Sequence, residues 1–206
     1  MQWDTLANED SIKKTVDALA QNGIDAIVVD DKESAKKKVL EMLPKGAEVM
    51  TMTSVTLDET GIAEAVNSSE EYDSVKNKLM KLDRTKDGAQ MQKLGAAPEW
   101  ALGSVHAVTE DGKVVAVSNT GSQLPAYAYD SSHVIWVVGT QKIVKNLDDA
   151  QKRIHEHILP LENKRARAAY GLPDTWDSNV SKILIITREV TPKRLTIIFV
   201  KEKLGF

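Results

Sequence analysis

Two stretches of this chain concentrate side chains able to hold a small polar ligand. The first is Ser54-Val55-Thr56-Leu57-Asp58-Glu59-Thr60-Gly61. Hydroxyls of Ser54 and Thr56, set beside the unpaired N–H groups of a starting helix, suit an anion such as phosphate or carboxylate. Thr56-Leu57-Asp58-Glu59 also has the spacing of a capping box, which predicts a helix beginning here. Asp58 and Glu59 complement the helix dipole and would repel a ligand anion, so capping alone is the competing reading. The second stretch is Ser118-Asn119-Thr120-Gly121-Ser122-Gln123-Leu124-Pro125, with five hydrogen-bonding side chains around one glycine directly after a predicted strand. Such a loop can orient a small polar molecule through backbone and side-chain contacts, and an ordinary exposed turn is its plain alternative.

A third element is Gly139-Thr140-Gln141-Lys142, which follows another predicted strand. Lys142 either adds a positive charge to the same rim or is simply solvated. In open α/β sheets ligands collect outside the carboxyl ends of strands, where loops diverge. The candidate ligand-binding residues are therefore Ser54, Thr56, Asn119, Thr120, Gly121, Ser122, Gln123 and Lys142. A proton-transfer reaction at this place would need a base, and His106, Glu110 or Glu59 are the available ones.

Much familiar chemistry is missing. No G-x-G-x-x-G follows a strand, and no G-x-x-x-x-G-K-[ST] or G-x-S-x-G is present. With no cysteine, the chain itself cannot offer a disulfide, a thiolate zinc site, a cysteine-bound iron–sulfur cluster or a cysteine nucleophile. His155-Glu156-His157 invites a metal reading, but residues two apart on a helix point about 200° apart and cannot grip one ion. No metal and no cofactor is expected.

The elements that must position these residues are legible in the pattern. The charge balance, 27 basic against 30 acidic residues for a net −3, argues against broad nucleic-acid binding. Lys36-Lys37-Lys38 fans around a helix and reads as a solvated face. The 206 residues, 42% of them apolar, predict one domain spanning 1–206. Val134-Ile135-Trp136-Val137-Val138 is the longest apolar run, far below the ~20 residues of a membrane span. A soluble, cytoplasmic protein without membrane insertion is expected.

Ile12, Val16, Leu19 and Ala20 mark a helix, Ile24–Val29 a strand, a second helix capped by Asp30 or Asp31 runs through Leu43, and Ala47–Met52 is a second strand. That alternation predicts a βαβ unit and a parallel sheet. The stretch 57–100 reads as helical, with turns at Asp87-Gly88 and Gly95-Ala96-Ala97-Pro98. Ser104–Thr109 and Lys113–Ser118 flank Glu110-Asp111-Gly112, a strong hairpin signal. His133–Val138 reads as a strand covered on both faces. Asn146 caps a helix whose stripe is Leu147, Ala150, Ile154, Ile158 and Leu161, and Pro160 is expected to kink or end it before a polar connector, 162–181. Ile183–Ile186 and Leu195–Val200 close the chain as strands too close in sequence to be parallel neighbours joined by a crossover. A mixed sheet with helices on both faces is predicted.

Taken together, Ser104-Val105-His106-Ala107-Val108-Thr109, Ser118-Asn119-Thr120-Gly121-Ser122-Gln123-Leu124 and Val134-Ile135-Trp136-Val137-Val138-Gly139-Thr140-Gln141-Lys142-Ile143-Val144 resemble the LUD domain of lactate-utilisation proteins, of the LutC type. Ser54–Gly61 and Leu204-Gly205-Phe206 agree with it. The resemblance implies a Rossmann-like mixed α/β fold of the superfamily of glucosamine-phosphate deaminases, ribose-phosphate isomerases and CoA transferases. It also implies a role in oxidation of L-lactate to pyruvate beside iron–sulfur partner subunits, with any cluster held by a partner. The CoA transferases use a glutamate nucleophile in a Ser-Glu-Asn-Gly-type motif. Ser118-Asn119-Thr120-Gly121 has an amide in that place, and an amide cannot form the acyl anhydride.

Two functions follow as expectations. One is a non-redox subunit, or a component binding a small anionic metabolite, that supports lactate oxidation. The other is a free-standing enzyme on a phosphosugar, a folate-like substrate or a CoA ester.

Overall fold

The computed structural model describes residues 3–206. In chain order the elements are α1 (Glu9–Gln21), β1 (Asp25–Val29), α2 (Lys32–Met42), β2 (Glu48–Thr51), α3 (Val55–Glu59), α4 (Ile62–Asn67), β3 (Asp73–Ser74), α5 (Val75–Met80) and α6 (Gly88–Ala96). There follow β4 (Trp100–Gly103), β5 (Ala107–Thr109), β6 (Val114–Ser118), a π turn (Ala126–Asp130), β7 (His133–Gly139), a 3₁₀ turn (Thr140–Lys142) and β8 (Ile143–Val144). Last come α7 (Leu147–Arg153), a second π turn (Ile154–Ile158), α8 (Leu159–Tyr170), β9 (Lys182–Ile186) and β10 (Leu195–Val200).

The helices start where short polar side chains satisfy free N–H groups. Asn8 accepts from the Ser11 amide at 2.8 Å, Asp31 from Ser34 at 2.7 Å and Asn146 from Asp149 at 2.9 Å. Six strands form a parallel sheet in the order β1-β10-β7-β4-β2-β3. β7 lies inside it and alternates its side chains between two cores. Val134, Trp136 and Val138 face Leu19, Ile24 and Phe199, whereas Ile135 and Val137 face Val39, Leu57 and Ile198. An almost wholly apolar strand is what burial on both faces demands.

The expected mixed α/β architecture with helices flanking the sheet is present, with its strands distributed over two sheets. After β4 the chain leaves the carboxyl edge through Ser104–His106, and the hairpin β5–β6 joins a smaller sheet, β8-β5-β6-β9. Gly112 supplies the hairpin's positive φ of 79°. Separating the antiparallel hairpin leaves the larger sheet all-parallel. It also puts β9 and β10 in different sheets, consistent with their short connection. The smaller sheet has its own core, in which Ala107, Val115, Val117 and Val144 meet Ala150, Ile154 and Ile158.

Pro160 does not end the helical run, which continues to Tyr170 and takes up part of the expected connector. The π turn at Ile154–Ile158 widens the backbone just before the proline. Pro160 then falls in the first turn of α8, where its missing N–H matters little. Among the described residues no helix is long and apolar enough to cross a membrane.

Candidate functional site

The buried 3₁₀ turn at the end of β7 turns the Lys142 side chain inward, so it is 2% exposed rather than solvated. Its Nζ donates to Thr56 Oγ1 at 3.1 Å and to Ser104 Oγ at 3.1 Å. Among the described residues no carboxylate lies within 4.0 Å of that ammonium. Burial, helped by nearby Arg153 and opposed by Glu59, brings the Lys142 pKa down from 10.5 to about 7. An amine of this kind divides its time between proton donor and free base near neutral pH.

Thr56 meets Lys142 because α3 begins earlier than the capping-box pattern predicts. Ser54, not Thr56, is the N-cap, with its Oγ accepting the Leu57 amide at 3.4 Å. Thr56 is thereby buried within the helix and free to turn its hydroxyl toward the lysine. The sequence pattern points to Thr56 because threonine followed by acid is a common start signal. Placing the start at Ser54 lets Leu57 bury fully against the sheet.

A covering segment closes the cluster from above. Thr56 Oγ1 donates to the Leu204 carbonyl at 3.4 Å, and Gln141 Nε2 donates to the same oxygen at 2.8 Å. The Gly205 amide donates to Glu59 Oε2 at 2.6 Å. Gly205 sits at φ +58°, and a Cβ there would stand 2.5 Å from Thr56 Oγ1 and 3.4 Å from Lys142 Nζ. Only glycine allows backbone this close to the buried amine.

Ser104 and His106 alternate along the segment that leaves β4. His106 is partly buried, and its Nδ1 accepts the Val117 amide at 3.1 Å. Burial of the ring, with Lys142 and Arg153 nearby, pushes its pKa from 6.5 down to about 3. His106 is therefore neutral at physiological pH and carries its proton on Nε2. On the far side, Arg153 Nη1 donates to the His106 carbonyl at 2.7 Å.

The second polar loop follows β6. Ser118 Oγ accepts the Gly121 amide at 2.8 Å and donates to Gln123 Oε1 at 3.0 Å, while Thr120 and Ser122 pair their hydroxyls at 3.3 Å. Asn119 Oδ1 accepts from Ser181 Oγ at 3.3 Å. Gln123 Nε2 reaches the Val117 carbonyl at 3.3 Å, and Val117 in turn donates to His106. Thr56 and Lys142 are thus bonded directly, and Ser54 begins the same helix. Residues 118–123 connect toward them through Val117 and His106, without a direct hydrogen bond among the described residues.

Of the three possible bases, Glu59 and His106 border this cluster. Glu110 is engaged elsewhere, by the Ser11 hydroxyl and by Lys14 at 2.9 Å. His155 is exposed and His157 half-buried. Glu156 accepts the Trp3 indole at 3.1 Å, and His157 Nε2 lies 2.9 Å from Asp4 Oδ1. Among the described residues no three histidine or acidic side chains are grouped to hold a metal ion.

The LUD domain profile matches residues 12–200, nearly the whole chain. The chain belongs to the LUD domain family. LUD domains are associated with lactate utilisation. The fold is shared with a DUF162 family protein from Deinococcus radiodurans solved at 1.70 Å, at a TM-score of 0.57 and 12% identity, covering 95% of this chain and 99% of that one. At that identity the likeness attests the Rossmann-like α/β fold alone. No curated protein matches.

Sequence reasoning about this LUD domain missed Ser104, Gln141, Arg153 and the Leu204–Gly205 backbone. Arg153 left one readable sign. It stands three residues after Ala150, on the apolar stripe of a helix, where a charge has no ordinary reason to be.

Proposed function

We propose that this LUD domain is a LutC-type component that binds a small anionic metabolite and supports the oxidation of L-lactate to pyruvate. The redox centres belong to iron–sulfur partner subunits in the cytoplasm. Lys142 is the cationic centre of the site, with Thr56 and Ser104 orienting its amine and Ser54 at the mouth. Asn119, Thr120, Gly121, Ser122 and Gln123 form the opposite rim. The observation that carries this reading is a buried ammonium, held by hydroxyls at the carboxyl ends of parallel strands, with no carboxylate within 4.0 Å among the described residues. A buried charge ordinarily requires an opposite charge, and a small anionic ligand provides one.

The test is thermal unfolding of the purified chain with L-lactate, pyruvate and inorganic phosphate, repeated on Lys142→Met. Stabilisation of the wild type by one of these anions, lost in the variant, supports the reading. A wild type indifferent to all three overturns it. Copurification with iron–sulfur subunits tests the partner claim.

A second reading, a free-standing enzyme on a phosphosugar, a folate-like substrate or a CoA ester, is favoured by one observation. Lys142, brought to about 7, is suited to proton transfer at neutral pH. Turnover of such a compound by the chain alone decides for it, and stabilisation without turnover decides for the binding component.

A further inference from the structure

Arg153 is 0% exposed, yet it makes a single hydrogen bond, from Nη1 to the His106 carbonyl. Among the described residues its Nε and Nη2 have no partner, and no carboxylate lies within 4.0 Å. Those two nitrogens form one edge of the guanidinium, with their N–H bonds pointing the same way. The same chain shows what this edge grips. Arg165 holds the Glu162 carboxylate by Nε to Oε2 at 2.7 Å and Nη2 to Oε1 at 2.7 Å.

The acid that acts on Arg153 is Asp4, which does not reach it. One Asp4 oxygen is bonded by Lys203, and the other, Oδ1, is buried without a hydrogen bond, 2.9 Å from His157 Nε2. Burial brings the Arg153 pKa down to about 10, so the guanidinium keeps its charge at neutral pH. Arg153 and Lys142 bond to alternate residues of the same segment, His106 and Ser104. Among the described residues, two buried cations therefore share one neighbourhood with no acid within 4.0 Å of either, although Glu59 and Asp4 act on them from farther off. Their combined field favours an anion, and the flat two-nitrogen edge favours a flat two-oxygen one. Complete enclosure selects a small ligand and a single charge, because a phosphate dianion costs more to desolvate.

We infer that the Nε–Nη2 edge of Arg153 is the recognition site for the carboxylate of a small monocarboxylic acid, whose negative charge neutralises the Arg153–Lys142 pair. The inference rests on the proposed anion-binding function and names its ligand class. The Lys142 amine, bonded to Ser104 two residues before the His106 carbonyl that Arg153 holds, then supplies the second positive charge.

The test is calorimetric titration of the full chain with pyruvate and acetate, and with inorganic phosphate for comparison. The variants are Arg153→Lys, which keeps the charge and loses the fork, Arg153→Met, Lys142→Met and Asp4→Asn. Pyruvate affinity is expected to fall at least tenfold in both Arg153 variants and to be unchanged or higher in Asp4→Asn. The Nε–H resonance of Arg153 is expected to shift when pyruvate is added to the wild type, a readout that needs no variant to fold. Arg153→Met without ligand is expected to melt no lower than the wild type. Wild-type affinity in Arg153→Lys, with affinity lost in Lys142→Met, overturns this inference and leaves the proposed function standing. Phosphate bound as tightly as pyruvate overturns the carboxylate assignment. A wild type that binds no anion overturns both.

Discussion

At the amino edge of the parallel sheet Arg194 is buried with its donors occupied. It pairs with Glu189 at 2.8 Å and donates to the carbonyls of Ser131, Ala126 and Tyr127 at 2.9–3.2 Å. Beyond the carboxyl edge, Arg153 is buried more completely and donates once. One chain thus contains two solutions to the same problem. Where a buried guanidinium only staples a turn to a strand, the fold surrounds it with acceptors. Where strand ends open onto loops, the acceptors are withheld and a second cation, Lys142, is set nearby. The contrast shows that the unpaired donors at the carboxyl edge do not arise from a general inability of this chain to satisfy a buried charge.

Variants can sharpen or dissolve that contrast. Arg194→Met removes one partner of a satisfied buried pair and should cost about 3–5 kcal/mol in urea unfolding. An Arg194→Met variant as stable as the wild type, the behaviour expected of Arg153→Met, would erase the distinction between the two edges. Lys142→Met removes an unpaired buried ammonium and should stabilise the ligand-free chain by about 1–4 kcal/mol at pH 7. That gain depends on pH in a fixed direction. The folded chain binds the Lys142 proton more weakly, with a pKa of about 7 against 10.5 when unfolded. Between those values the unfolded state holds more protons, so wild-type stability rises with pH and the penalty is fully present below about 7. The advantage of Lys142→Met should therefore shrink from pH 7 to pH 10, as denaturation curves across that range will read.

His106 acts in a lower window with the same sign. Its folded pKa of about 3 lies below the ordinary 6.5, so acid favours the unfolded state between these values. Stability should fall by about 1.4 kcal/mol per pH unit from this group as the pH drops through that window. His106→Asn, which can still accept the Val117 amide, should remove that share of the acid slope. The smallest effect is expected at the outer loop. Ser118→Ala loses the bonds to Gly121 and Gln123 and should cost about 1 kcal/mol. It should also weaken anion-induced stabilisation if the loop is the rim of the site.

The parts legible in the sequence are those fixed by local physics. β1, α2 and β2 follow from alternating runs of apolar residues, and the hairpin from Asp111-Gly112, because periodicity and turn chemistry act over a few residues. The division into two sheets was not legible. Val114–Val117 and Val134–Val138 are equally apolar, and nothing in either says which neighbour it will pair with. The site shows the same limit. Thr56 and Lys142 were noticed for their types, but their meeting depends on α3 starting at Ser54 and on a turn that buries Gln141 and Lys142. Arg153 shows only that a charge stands on an apolar stripe, and its enclosure comes from His106 and the smaller sheet, which local sequence does not report.

The backbone laid across Lys142 has one more consequence. Leu204–Gly205 works as a latch, tied to Thr56, Gln141 and Glu59 by three hydrogen bonds and thin enough at Gly205 to rest against the amine. Any solute that reaches Lys142 from this side must lift the latch, so loading and loosening of that segment are one event. A methyl group at position 205 would act as a wedge, leaving the doorway ajar and the amine within reach of solvent.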